Sequence, residues 1–98
     1  MNYLFEWDFD KANTNFKKHN VRFDIATSIF RDPRALTIFD DEHSDLEDRW
    51  ITIGLAQNSH LLLVVHTYNV YNADDVIIRI ISARKATKNE AKMYKGDI

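Results

Sequence analysis

"RWITIGLAQNSHLLLVVHTY", residues 49 to 68, contains two extended apolar runs separated by a polar turn at "QNS" (57 to 59). A turn that short cannot hold the crossover that parallel neighbours need, so the two runs predict antiparallel strands over 49–56 and 60–68. Leu61 to Val65 is apolar at every position, which places the second strand centrally with both faces covered. Working outward, "ALTIF" (35–39) precedes the pair and "DVIIRIISA" (75–83) follows it, both rich in β-branched residues. The four segments predict an antiparallel meander.

Upstream of that meander the apolar period is helical. "YLFEW" (3–7) reads as a short opening strand stopped by Asp8, a suitable N-cap for a helix to about Lys18. Phe9, Ala12, Phe16 and His19 recur at spacings of three and four, so this stripe is expected to face the core, with Lys11, Asn15 and Lys18 on an adjoining polar stripe. Asn20 suits a left-handed helix end. A second helix, 23–30, carries Phe23, Ala26, Ile29 and Phe30 on one side and ends at Asp32 and Pro33. After the meander, Thr87 with Glu90 three residues later is a capping box for a last helix through Tyr94 to Gly96. A short strand, two helices, a four-stranded meander and a C-terminal helix make an α+β fold.

With 98 residues, 45% hydrophobic, two glycines and one proline, the chain is expected to form a single domain over 1–98. Cysteine is absent, which excludes disulfides, thiolate metal sites and cysteine nucleophiles. No apolar run reaches the length of a membrane span, and "MNYLFEWDFD" is acidic where a secretory signal is basic, so a cytoplasmic location is expected. The net charge of -2 speaks against a nucleic-acid binder, but it conceals a local dipole. Residues 40–48 hold six acidic side chains and no Lys or Arg, whereas 79–95 hold six basic side chains against Glu90 alone.

Arg79 stands in an apolar strand on the same face as Ile77 and Ile81. A guanidinium stays charged inside a protein, so it requires a carboxylate, water or a bound anion. Glu47 or Asp75 would make it a structural ion pair; a phosphate would make it a clamp. Arg84 and Lys85 precede the Thr87 cap, where a helix N-terminus favours an anion. Strict alternation puts Arg84 opposite to Arg79, so a shared site requires a bulge near Ser82. Arg49 shares a face with Ile51 and Ile53 and raises the same question as Arg79. His43, in "DDEHSD" (40–45), offers either a hard-metal site with its acidic neighbours or proton transfer near neutral pH. His19 suits packing or the helix end, His66 fits core or cleft, His60 a turn, and Trp7 and Trp50 suit the core more than base stacking.

"FEWD" (5–8), "KA" (11–12), "KHNV" (18–21), "DP" (32–33), "HS" (43–44), Glu47, Arg49, "IG" (53–54) and "RIISARKAT" (79–87) with Glu90 and Tyr94 together resemble the BrnT family of bacterial toxins. The resemblance implies a RelE-like fold and a ribonuclease that inhibits translation. It also implies a BrnA-type ribbon-helix-helix antitoxin, which would contact operator DNA, in a hetero-oligomer. The family's polar positions fall on Lys18, His19, His43, Glu47, Arg49, Arg79, Arg84 and Tyr94. Asn20 stands where the family usually has glycine, and "YNVYNADD" (68–75) is longer than a typical hairpin loop.

A metal-independent mechanism needs fixed positive charge, a base and an acid. Arg79, Arg84 and Arg49 are expected to supply the charge, and His43 or Glu47 the proton transfers, with His19 and Tyr94 as substitutes. Lys18, His19, Lys85 and Tyr94 are expected to hold RNA, and neither metal nor cofactor is expected. Two other classes fit the same residues. One is a non-catalytic module docking an acidic protein or DNA through the basic C-terminal segment; the other is a metal hydrolase built on the acidic loop.

Overall fold

The computed structural model describes residues 1–96, so the last two residues of the expected domain lie outside the described residues. Strand β1 (Asn2–Trp7) is closed by Asp8, whose Oδ1 accepts the Lys11 N–H at 2.9 Å and starts helix α1 (Phe9–His19). Asn20 ends α1 in the left-handed region (φ 57°), with its N–H donating to the Phe16 carbonyl at 2.8 Å. Helix α2 (Phe23–Ala26) continues as a tighter 3-10 turn over Thr27–Arg31 instead of remaining α-helical to Phe30. The Thr27 and Ser28 hydroxyls bond back to the Asp24 and Ile25 carbonyls at 2.7 and 2.6 Å, competing with the regular helical pattern.

The remaining elements are β2 (Leu36–Phe39), a 3-10 turn (Asp41–His43), β3 (Trp50–Leu55), β4 (Leu61–His66), β5 (Asn69–Val70), β6 (Asp75–Lys85) and α3 (Lys88–Lys95). The α3 cap is reciprocal: Thr87 Oγ1 accepts the Glu90 N–H at 3.2 Å, and Glu90 Oε1 accepts the Thr87 N–H at 2.9 Å. No helix among the described residues is long and apolar enough to cross a membrane.

The strands run in the order β1-β6-β4-β3-β2, with β5 pairing β6 off this path. The expected meander is the antiparallel series β2, β3, β4, β6, and β4 sits in its middle. Two pairings lie beyond what the sequence showed. β1 runs parallel to β6, from Asn2 opposite Asp75 to Trp7 opposite Ile80. The long loop "YNVYNADD" contributes β5, with Asn69 opposite Ile77.

One face of the sheet is sealed. Leu62 and Val64 of β4 and Val76, Ile78, Ile80 and Ala83 of β6 pack with Val21, Phe23, Ala26 and Ile29. Each such fully buried aliphatic side chain is worth about 1.5–3 kcal/mol of transfer free energy. The 3-10 turn approaches β3 so closely that a Cβ on Gly54 would stand 2.9 Å from the Ile29 Cβ, which explains the glycine there. On this face His66 joins the core, between Thr52 Oγ1 (2.7 Å) and the Thr67 carbonyl (2.8 Å), with Phe30 edge-on at 4.9 Å. The opposite face is only partly covered, contrary to the expectation for Leu61 to Val65: Leu63 is buried, but Leu61 and Val65 are half-exposed.

The predicted core stripe of α1 holds at Ala12, which packs against the core, and is overturned at its two aromatic positions. Phe9 is 75% and Phe16 44% exposed, while Asn15 from the polar stripe is buried. β1 stops covering β6 at Ile80, and beyond that point Asn15 takes over the strand edge. Its Oδ1 accepts the Ala83 N–H at 3.0 Å, and its Nδ2 donates to the carbonyls of Ala83 (2.9 Å) and Val21 (3.2 Å). Helix α1 therefore docks through a side-chain amide that imitates a neighbouring strand, and its aromatic stripe is left outside.

A register shift separates Val65, paired with Ser82, from His66, paired with Ile80, so Ile81 is an extra residue on β6. This bulge reverses the alternation. Val76, Ile78 and Ile80 face the core before it, and Ala83 does so after it. Arg79 and Arg84 consequently share the open face.

Candidate functional site

A cleft of about 520 Å³ lies on that open face. Its floor is aliphatic: Ile51 from β3, Leu63 and Val65 from β4, and Ile81 from the bulge. Its walls are polar. The end of α1 supplies Lys18 and His19, the 40–49 loop supplies Asp40, Glu42, His43 and Arg49, and β6 supplies Ser82 and Arg84, with Glu90 from α3 beside it.

Arg84 is held as a fork. Its Nη1 and Nη2 donate to Glu90 Oε1 and Oε2 at 2.7 and 2.9 Å. Hydrogen bonding from Arg84, chiefly, and from the Thr87 N–H lowers the Glu90 carboxyl to about 2, and the same bond raises the Arg84 guanidinium further above its ordinary range. The first anion at the α3 N-terminus is thus the chain's own Glu90. Arg84 nevertheless keeps 37% of its side chain exposed at the cleft. Arg49 lines the same cleft, and its Nε is a buried donor without an acceptor among the described residues.

His43 is held from below. Its Nδ1 lies 3.1 Å from both carboxylate oxygens of Asp40, whose residue is only 9% exposed. The surrounding loop is pinned by its backbone: the Asp40 N–H donates to the Arg49 carbonyl at 2.8 Å, Ser44 Oγ donates to the Asp40 carbonyl at 2.6 Å, and the Arg49 N–H donates to Ser44 Oγ at 3.1 Å. These bonds carry the β2 to β3 pairing one step beyond Phe39 and Trp50, and they set His43 and Arg49 on the same side.

The other expected site residues fall elsewhere. Arg79 pairs with Glu47, the structural partner weighed from the sequence; both are 38% exposed on the open face, outside the cleft lining. Lys85 is exposed and does not line the cleft. Tyr94 donates its hydroxyl to Asp32 Oδ2 at 2.6 Å and does not line the cleft, and that bond raises its own ionisation. Burial pushes the Asp32 carboxyl up, but hydrogen bonds from the Leu55 N–H, Tyr94 and the Arg34 N–H outweigh it and the net shift is down. His60 is an exposed turn residue, and Trp7 and Trp50 stack edge-on against Phe23 and Phe39 outside the cleft. Sequence reasoning missed Asp40 and Ser82 as wall residues and saw Glu90 only as a cap. The Asp40 to His43 spacing of three, within one helical turn, was the available signal for the first.

The family model described as "Ribonuclease toxin, BrnT, of type II toxin-antitoxin system" matches residues 7–90. Among solved structures, the chain is similar to the crystal structure of the Brucella abortus ribonuclease toxin BrnT, with a TM-score of 0.62 and 20% identity over 90% of this chain and 100% of that one. At that identity the likeness shows a shared fold. No curated protein matches the chain.

Proposed function

Because the chain belongs to the BrnT family, the ribonuclease toxins of type II toxin-antitoxin systems, we propose that it is a metal-independent endoribonuclease whose RNA site is the cleft on the open face. The observation that carries this reading is the convergence of two imidazoles (His19, His43), two guanidiniums (Arg49, Arg84) and Lys18 over an aliphatic floor. One imidazole takes the proton of a 2'-hydroxyl, O2' attacks phosphorus, the P–O5' bond breaks, and the other imidazole protonates the departing O5'. A 2',3'-cyclic phosphate and a 5'-hydroxyl remain. Arg84 and Arg49 are too basic to move protons at neutral pH and act on the charge of the transition state. Arg49 lines the cleft without a carboxylate partner among the described residues, whereas Arg84 must share itself between Glu90 and the substrate.

Within the expected set this reading gives most weight to the cleft residues. His43, Arg49 and Arg84 act on the phosphodiester, and Lys18 and His19 face them. Arg79 and Glu47 neutralise each other beside the cleft and brace the acidic loop. Lys85 adds long-range attraction only, and Tyr94 supports α3. The protein acts as one domain in the cytoplasm, and its antitoxin is of the BrnA type, contacting operator DNA on the toxin's behalf.

The test is purified protein with a defined RNA, with and without chelator and ribosomes, followed by mapping of the cut ends. Chelator-resistant cleavage leaving cyclic phosphate is expected, and Arg84→Ala or Arg49→Ala should lose on the order of 100-fold in rate. Growth arrest that survives Arg84→Ala, with no RNA cut, would point to the non-catalytic docking module instead.

A further inference from the structure

Asp40 has no part in the transfers above, yet it is the most deeply placed charged group of the cleft wall and it touches only one titratable side chain, His43. A carboxylate accepts hydrogen bonds and cannot donate them. Its two oxygens, each 3.1 Å from Nδ1, therefore select the imidazole tautomer with the proton on Nδ1. That leaves the Nε2 lone pair free on a side chain that is 63% exposed along the cleft. The other titratable groups lining the cleft with this imidazole are Lys18 and His19 from α1, Glu42 and Arg49 of the same loop, Arg84 from β6 and Glu90 from α3. Three of these, Lys18, Arg49 and Arg84, are permanent or near-permanent cations, which oppose a positive charge on His43. A buried carboxylate against Nδ1 offsets that opposition when the ring takes up a proton.

We propose that Asp40 is a positioning residue for His43: it fixes the tautomer and orientation in which Nε2 accepts the 2'-hydroxyl proton, and it stabilises the imidazolium that results. The bonds of the Asp40 backbone to Arg49 and Ser44 make the support rigid, because they tie Asp40 to the residue that precedes β3 independently of the imidazole. This inference rests on the ribonuclease reading and adds to it a residue that acts through another.

The experiment uses the full chain with a defined RNA, together with nitrogen-15 NMR of the imidazoles. Wild type should show His43 as the Nδ1–H tautomer, and Asp40→Ala should lose that preference. In the same variant kcat should fall about 100-fold with KM little changed, as expected for impaired general-base catalysis. Asp40→Glu should recover part of both. Asp40→Ala placed on His43→Ala should bring no further loss. An unchanged tautomer in Asp40→Ala, an altered tautomer with unchanged kcat, or an undiminished extra loss on the His43→Ala background would each overturn the proposal while leaving the ribonuclease reading intact. If circular dichroism shows that Asp40→Ala fails to fold, Asp40→Asn is read by the same criteria. A wild-type protein that shows the Nδ1–H tautomer but cuts no RNA would overturn the ribonuclease reading itself, and the catalytic role with it.

Discussion

Replacing Glu90 by Gln removes the charge from the Arg84 fork and leaves the α3 cap in place, because a glutamine oxygen still accepts the Thr87 N–H. Its carboxyl sits at about 2 against an ordinary 4.5, which at 1.36 kcal/mol per pH unit sets a ceiling of about 3 kcal/mol on the stability linked to its ionisation. Glu90 is 20% exposed, but its partner Arg84 is 37% exposed, and screening by water reduces the expected value to about 1–2 kcal/mol. The sign follows from the lowered carboxyl. The folded state binds fewer protons than the unfolded one, so the contribution is complete above pH 4.5 and is lost as pH falls through about 2. Urea unfolding of wild type and Glu90→Gln at pH 7, 4.5, 3 and 2 measures it. The gap should be about 1–2 kcal/mol at pH 7 and should close at the acid end. A gap of the same size at every pH would show that charge is not what the fork contributes.

Asn15→Ala should cost about 2–4 kcal/mol in chemical denaturation, since it strands the Ala83 N–H and two carbonyls at a covered edge; a loss under about 0.5 kcal/mol would remove its strand-imitating role. Gly54→Ala should cost about 1–3 kcal/mol by forcing the Ile29 turn off β3, visible as a lower Tm with an unchanged far-ultraviolet spectrum. Burial holds the His66 imidazole below its ordinary 6.5, so the unfolded state gains a proton first and stability should decline as pH drops from 7 to 5. His66→Gln should flatten that slope, and an equally steep decline would assign it to another group.

The extended segments and both helix caps were legible because they are local: alternation, turn residues and a Thr-to-Glu spacing of three need no knowledge of distant chain. The parallel pairing of β1 with β6 was not, since its partners lie 73 residues apart. The face of α1 was misread for a related reason. Apolar periodicity finds the side of a helix that covers a sheet, but this helix meets a strand edge, where a buried amide counts for more than Phe9 or Phe16. For the cleft, permanent cations in a strand pointed to an open face, and the need for a bulge followed from the odd number of steps between Arg79 and Arg84. The sequence offered Glu47 and Asp75 as partners for Arg79, but the choice between them was illegible, because Glu47 lies 32 positions away and only the folded loop brings the two together.

The extra residue at Ile81 makes the pairing register of β6, as distinct from its composition, a condition of the site. Forcing Ile81 into the regular ladder would turn the remainder of the strand over, driving Arg84 towards Val21 and Phe23 and presenting Ala83 to solvent. Point substitutions there leave the frame intact. One two-against-one mismatch in the ladder therefore governs the hydrophobic interior and the guanidinium together, and a change that flattened it would strike both at once.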